Sequence, residues 1–337
     1  MIPFIQKLVR GEHLTLDESR EAMHNIMEGR ATPAQIAAYL TALAIKGPTA
    51  DEIAGAALVM REKATRIDVA DLPVVDTCGT GGTGKQTFNI STCAAIVAAG
   101  AGAYVAKHGN RGATSKSGSS DVLEVLGVNV TAMPTVVARC IREARMGFLF
   151  GPQLHGAMRY AAAVRKDIGI GTIFNVLGPL TNPAGARRQV MGVFAKDLLQ
   201  MIGEVMLRLR TEHALVVHSA SGLDEISLSA VTHVCEVRGG AVTCYDLSPA
   251  ALGLPVAPLE AIQCDTAQES AEIILAVLAG KKGPKRDVVL ANAAAALYVA
   301  GLAPDLRDGL RLAAGSIDSG AAKQVLESLI KLSHESM

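Results

Sequence analysis

The 337-residue chain has no tryptophan and few aromatics of any kind: six Phe and five Tyr, 3% of the whole. A base-stacking platform needs more than that. No sign of charge is in excess, since 32 Lys and Arg balance 32 Asp and Glu. A neutral total argues against nucleic acid as a partner, although a local basic patch can sit inside it. Long apolar runs are missing too. The longest, 94–106 and 288–303, fall short of the roughly 20 residues of a membrane-spanning helix, and the second carries Asn292. The N-terminal MIPFIQKLVRGEHLTLDE turns polar within a few residues, which is not a secretory signal pattern. Six cysteines (Cys78, Cys93, Cys140, Cys235, Cys244, Cys264) are scattered without a CxxC pair or a Cys/His cluster. They are expected to be reduced, mostly buried thiols of a cytoplasmic protein, with no structural zinc site.

What the chain does have is 50% apolar residues, mostly Ala, Val, Leu and Ile. Its length allows one large domain or two smaller ones with a well-buried core. The first 65 or so residues read as wholly helical. Thr15-Leu-Asp-Glu18, Thr32-Pro-Ala-Gln35 and Thr49-Ala-Asp-Glu52 each look like a helix start, and Gly47-Pro48 closes the second helix. This predicts a small all-helical domain over 1–70 whose role is packing or a dimer surface. From Leu72 onward, short apolar runs at 72–75, 103–106, 189–194, 214–218 and 233–237 alternate with helical stretches. After about Pro284 the chain is helical again, with Asp305 capping one helix. The expected class is therefore α/β: a larger domain over 71–337 with a central, mostly parallel sheet flanked by helices. In such folds ligands bind beyond the C-terminal ends of the strands.

Three loops follow those strands. The first, Asp76-Thr-Cys-Gly-Thr-Gly-Gly-Thr-Gly-Lys-Gln-Thr-Phe-Asn-Ile-Ser-Thr92, has glycines at 79, 81, 82 and 84. Glycine permits positive φ and close backbone approach, so a loop feeding a helix can aim several N–H groups at a phosphate or pyrophosphate. Gly79-x-x-x-x-Gly84-Lys85 nearly spells a P-loop, but Gln86 stands where that motif needs Ser or Thr. The second loop, Lys107-His-Gly-Asn-Arg-Gly-Ala-Thr-Ser-Lys116, packs four cationic or potentially cationic side chains into ten residues and suits a second anionic group. Ser120-Asp121 is expected to cap the helix after it. The third loop carries Asp224 and Glu225 at the sheet's edge. An acidic pair is commonly a solvated surface feature; beside two anion loops it suits Mg2+, the usual partner of phosphate.

GTGG…TFNIST, KHGNR, SGSSDVLEVLGV, GIGTIFNVLGPLTNPA, the DE pair and GPKRDVVLANAAAALYVAG together span nearly the whole chain. In them the chain resembles the anthranilate phosphoribosyltransferases of tryptophan biosynthesis. The resemblance implies that phosphoribosyl pyrophosphate lies against Gly79, Gly82, Thr83, Thr87, Asn89, Ile90, Ser91, Thr92, Lys107, His108, Gly109, Asn110, Arg111, Gly112, Ala113, Thr114, Ser115 and Ser119. It implies Mg2+ as cofactor at Ser91, Asp224 and Glu225. Anthranilate would meet Gly79, Asn110 and Arg165, with His108, His155 and Pro179 lining its access channel. Lys107 and His108 are the catalytic candidates, His108 either as proton acceptor or as channel wall. Arg165 on its own reads as an ordinary helix-surface arginine; only the resemblance promotes it.

The resemblance further implies a homodimer through the N-terminal helices, and a small domain that recruits about residues 155–180. Two departures stand out. Thr83 replaces the Asp usual after GTGG, which puts a metal-linked role of position 83 in doubt. Thr114-Ser115 replaces two serines and keeps both hydroxyls. Two rivals fit less well: a non-catalytic nucleic-acid binder would have damaged loops and a basic face, and a pyrimidine nucleoside phosphorylase has no use for NVLGPLTNP.

Overall fold

The computed structural model describes residues 1–70, 72–112 and 117–335. Four helices come first: α1 (Ile2–Val9), α2 (Leu16–Met27), α3 (Pro33–Lys46) and α4 (Ala50–Lys63). Thr15, Thr32 and Thr49 each accept from the backbone N–H three residues on, and Glu18, Gln35 and Glu52 reciprocate. The three expected starts are therefore borne out, while α1, which has no side-chain cap, is an additional helix.

The α/β part runs β1 (Val74–Asp76), α5 (Ile90–Gly100), β2 (Tyr104–Gly109), α6 (Ser119–Val125), α7 (Pro134–Ala144) and β3 (Met146–Phe150). It continues with α8 (Gly151–Leu154), α9 (Arg159–Ile168), α10 (Phe174–Leu177), β4 (Arg188–Gly192), α11 (Leu198–Arg208) and β5 (His213–Ser219). The hairpin β6 (Thr232–Arg238) and β7 (Ala241–Leu247) precedes α12 (Ala267–Leu278), α13 (Pro284–Val299), α14 (Leu306–Asp318) and α15 (Ala321–Ser333). The seven strands are ordered β3-β2-β1-β4-β5-β6-β7; the first five are parallel and the last two join antiparallel. The mostly parallel α/β expectation holds.

The strand order reverses at β1, whose successors β2 and β3 lie on one side and β4 on the other. That is where a doubly wound sheet opens a crevice at its C-terminal edge. Side chains alternate across β5: Leu215 and Val217 join the apolar core with α5, α7 and α12–α15. Ala214 and Val216 join a second core with α1–α4, α11, Ala161, Val164, Phe174 and Leu177.

Several expectations need correction. Strands β3 and β7 were not anticipated. β3 pairs Lys107 with Phe148, His108 with Leu149 and Gly109 with Phe150, which carries β2 on to Gly109. Lys107 and His108 thus belong to a buried strand, not to a loop. Nor is the Asp224-Glu225 loop at the sheet's edge, because β5 lies between β4 and β6. α6 starts at Ser119 with Gly118 as N-cap, and Asp121 is its third residue rather than its cap. Finally, Cys235 and Cys244 face each other across the β6–β7 hairpin, Cα atoms 4.1 Å apart, and form a disulfide. Register brings together two cysteines nine positions apart, so only the other four are thiols.

Candidate active site

The glycine loop leaves β1 and turns by three residues with positive φ, Gly81 (62°), Gly82 (81°) and Gly84 (66°), a path closed to most side chains. Thr80 anchors it, its N–H donating to Gly192 O at the end of β4 (2.9 Å) while its hydroxyl accepts from Phe194 N (3.1 Å). Gly79 leaves only tight space for a side chain: a Cβ would stand 3.0 Å from Asp224 Oδ2 and 3.2 Å from Gly192 O. Thr83 keeps its hydroxyl inside the loop, accepting from Lys85 N (3.3 Å). Thr87 forms an isolated bridge with Gln263.

The loop ends at α5, whose N-terminus has no side-chain cap. The Asn89 carboxamide reaches sideways instead, its Oδ1 accepting from Ser270 Oγ (2.8 Å) and Ser117 Oγ (3.0 Å). Ile90 and Thr92 are buried, and Ser91 is partly open at the helix start. Asn89 N already donates to Ser270 Oγ (2.9 Å) and Ile90 N to Phe88 O (2.7 Å), so what this helix start offers is chiefly its partial positive charge.

Lys107 lies under this cradle, 1% exposed. Its Nζ donates to Thr77 O (3.0 Å), Thr77 Oγ1 (3.2 Å) and Ser91 Oγ (3.3 Å). Burial lowers its pKa, while Cys78, Asp76 and Glu225 nearby pull the other way. Asp76, fully buried, accepts from His108 N (3.1 Å) and from Asn182 Nδ2 (2.7 Å), and burial pushes its carboxyl up to about 6. Asn182 Nδ2 also donates to Ala106 O (2.8 Å), so one carboxamide ties the end of β1 to the middle of β2.

The carboxylate pair arrives after β5. Asp224 Oδ2 accepts from Gly81 N (3.0 Å), and Glu225 lines the same cleft as Ser91. Gly192 leaves room for this turn, since a Cβ there would overlap Asp224 O. Burial raises both carboxyls, and for Glu225 the Asp224 charge adds to it. One cleft is lined by Thr77, Gly79, Ser91, Asp224, Glu225 and Asn292. The structure therefore brings the glycine loop, the start of α5, Lys107 and the acidic pair to one point.

Oxygen donors fit a hard cation: two adjacent carboxylates and a hydroxyl, with the charge repulsion that a divalent ion relieves. A different group, Asp76, Cys78 and His108, has its ligand atoms within 4.8 Å of one another. There the Asp76 oxygens already serve Asn182 and His108 N, and the donor set is not one magnesium prefers.

On the other side of β2, the His108 and His155 rings lie 5.1 Å apart, and their Nε2 atoms are buried without hydrogen-bond partners among the described residues. Burial depresses both, His108 to about 3 and His155 to about 4, which keeps them neutral. Asn110 is exposed, its O accepting from Ser119 Oγ (3.4 Å). Arg111 pairs with Asp121 and Glu124 (3.0 and 2.8 Å), and Gly112 N donates to Asp121 (3.0 Å). Gly109 packs against Ser119 and Phe148. Arg165 lies on α9 with its guanidinium 4.9 Å from the Phe174 ring centre, and burial lowers its pKa. Pro179 is buried, its carbonyl accepting from Gln189 (2.8 Å). Ala113, Thr114 and Ser115 lie outside the described residues.

Sequence reasoning missed Asp76, Asn182 and Asn292 as site-forming groups. A signal existed for Asn292, a lone carboxamide in an otherwise apolar run.

Comparison with known proteins identifies the family and the fold. Residues 2–64 match the helical bundle domain of a glycosyl transferase family, and residues 71–323 match its a/b domain. An anthranilate phosphoribosyltransferase of Methylobacillus flagellatus is 52% identical over 330 residues, 98% of this chain and 97% of that protein. The crystal structure of anthranilate phosphoribosyltransferase from Thermus thermophilus superposes with a TM-score of 0.93 at 42% identity, covering 98% of this chain and 99% of that one. The Saccharomyces cerevisiae enzyme in complex with phosphoribosyl pyrophosphate and Mg superposes at 0.89 with 28% identity, covering 98% and 97%. It has also been solved with 4-fluoroanthranilate. With likeness of this extent in sequence and fold, the chain belongs to the anthranilate phosphoribosyltransferase family.

Proposed function

We propose that the chain transfers the 5-phosphoribosyl group of phosphoribosyl pyrophosphate to the amino group of anthranilate, releasing pyrophosphate, in tryptophan biosynthesis. The observation that carries this reading is the convergence of glycine loop, uncapped α5, buried Lys107 and acidic pair on one cleft. An aniline-type nitrogen is an uncharged nucleophile at neutral pH and needs no strong base. The demanding part is the departure of a diphosphate from a ribose carbon that gains cationic character, so the site's work is electrostatic and positional.

In this reading, N–H groups of the glycine loop hold the diphosphate oxygens, and the positive end of α5 faces them. Lys107 keeps Thr77 and Ser91 in place beneath it. Ser91, Asp224 and Glu225 hold Mg2+, which when bound neutralises the leaving diphosphate. Arg165 takes the anthranilate carboxylate. His108 and His155 form the wall of the access channel; with His108 near 3 its imidazole is a poor proton store, which favours the wall over the acceptor role.

The same reading makes the protein a cytoplasmic homodimer, working where its charged substrates are retained. The dimer contact is through the N-terminal helices, where α1 and α3 expose Ile2, Val9 and Ile45. Residues 1–70 with about 155–180 form the small domain, and the remainder of 71–337 the large one. Loss of anthranilate fluorescence tests the activity. It is expected only with phosphoribosyl pyrophosphate and Mg2+ both present; loss without either, or none with both, overturns the reading.

A further inference from the structure

Asn292 lies on α13, 3% exposed, flanked along the helix by the buried Val288, Val289, Ala291 and Ala293. A buried carboxamide in such surroundings is costly unless each of its groups is paired. All are: Oδ1 accepts from Ile226 N (3.0 Å), and Nδ2 donates to Ile226 O (2.9 Å) and Val288 O (2.9 Å). Ile226 directly follows Glu225, so one side chain grips both backbone groups of the residue after the acidic pair. On the opposite side, Gly192 abuts the Asp224 backbone so closely that no side chain fits between them. The acidic turn is thus held between β4 and α13, and Asn292 lines the same cleft as Asp224, Glu225 and Ser91.

We propose that Asn292 is a positioning residue for the metal site: by clamping the Ile226 backbone it sets the direction of the Glu225 carboxylate toward Ser91. This rests on the reading of Ser91, Asp224 and Glu225 as the magnesium ligands. Supporting groups of this kind tune metal affinity by about 10–100-fold. The prediction is specific in direction, since metal binding and whatever depends on it should weaken while the anthranilate site stays intact.

The test is a Mn2+ titration followed by electron paramagnetic resonance of the free ion, on the full-length wild type, Asn292→Ala, Asn292→Ser, Leu290→Ala and Glu225→Gln. Serine is the safer variant for folding, since its hydroxyl can bond the Val288 carbonyl one turn back. Leu290→Ala damages the same helix while keeping both Asn292 hydrogen bonds to Ile226. The expected result is a Mn2+ dissociation constant raised about tenfold in both Asn292 variants and unchanged in Leu290→Ala. The magnesium half-saturation of turnover should rise in parallel, with the KM for anthranilate within twofold of wild type. Wild-type Mn2+ affinity in Asn292→Ser, with weakened binding in Glu225→Gln, overturns the positioning role alone. Equal Mn2+ affinity in wild type and Glu225→Gln overturns the carboxylate reading, and the positioning role falls with it.

Discussion

Glu52 and Glu225 are both glutamates set beside helix N-termini, and the chain treats them oppositely. Glu52 is fully buried in the helical region, and every contact satisfies it: Leu14 N (2.9 Å), Thr49 N (2.7 Å) and Lys46 Nζ (2.9 Å). Its backbone carbonyl accepts from Ser19 Oγ (2.6 Å). Glu225 is half-buried at the floor of the cleft beside the like charge of Asp224, and these two factors raise its pKa. It shares that cleft with Ser91, at the helix start that the proposed function gives to a diphosphate. One region spends its polar groups on holding helices together; the other keeps a pair of carboxylates poorly compensated. A site that has to recruit a cation needs that deficit.

If the contrast is real, the two glutamates should respond in opposite ways to removal. Glu52→Ala strands Lys46 and two backbone N–H groups, a loss of about 3–5 kcal/mol, measured by urea unfolding, with kcat unchanged for the fraction that folds. Glu225→Gln should leave the metal-free protein at least as stable and raise the magnesium half-saturation by about 10–100-fold. The sign follows from linkage. A carboxyl raised in the folded state, to about 8 for Glu225, contributes stability that is lost as pH rises from roughly 4.3 through that value. Removing it removes that loss, so the melting temperature of Glu225→Gln should gain on wild type as pH goes from 5 to 8. Parallel melting curves would erase the distinction between the two regions.

Smaller effects sharpen the picture of the cleft. Arg165→Ala should raise the anthranilate KM tenfold or more, as expected for a lost charge-assisted contact of about 1.5–3 kcal/mol. The KM for phosphoribosyl pyrophosphate should stay nearly unchanged, and an equal rise in both would remove the carboxylate clamp. Gly79→Ala pushes a methyl against Asp224 Oδ2 and Gly192 O. It should cost about 1–3 kcal/mol in phosphoribosyl pyrophosphate binding, read from its KM.

The same contrast explains what was legible in the sequence. Helix starts in the N-terminal region are local chemistry, Thr and Glu or Gln three apart, so they could be read directly. The glycine loop and the acidic pair were legible because their residue types are unusual in such density. Strand β3 was hidden because Arg145, at φ 60°, makes the turn before it where a glycine would have announced one. β7 is an edge strand with most of its side chains exposed, so it lacks an apolar run. The roles of Asp76, Asn182 and Asn292 depend on partners 32 to 106 residues away, a distance that no local pattern encodes.

The most direct test is a crystal structure of the protein with Mn2+ and phosphoribosyl pyrophosphate, with the metal located by anomalous scattering. The account predicts a manganese peak bonded to the diphosphate and to oxygens of Asp224, Glu225 and Ser91, at the roughly 2.1 Å typical of small hard cations. A diphosphate away from Gly79–Gly82, or a metal held at Asp76, Cys78 and His108, would contradict it.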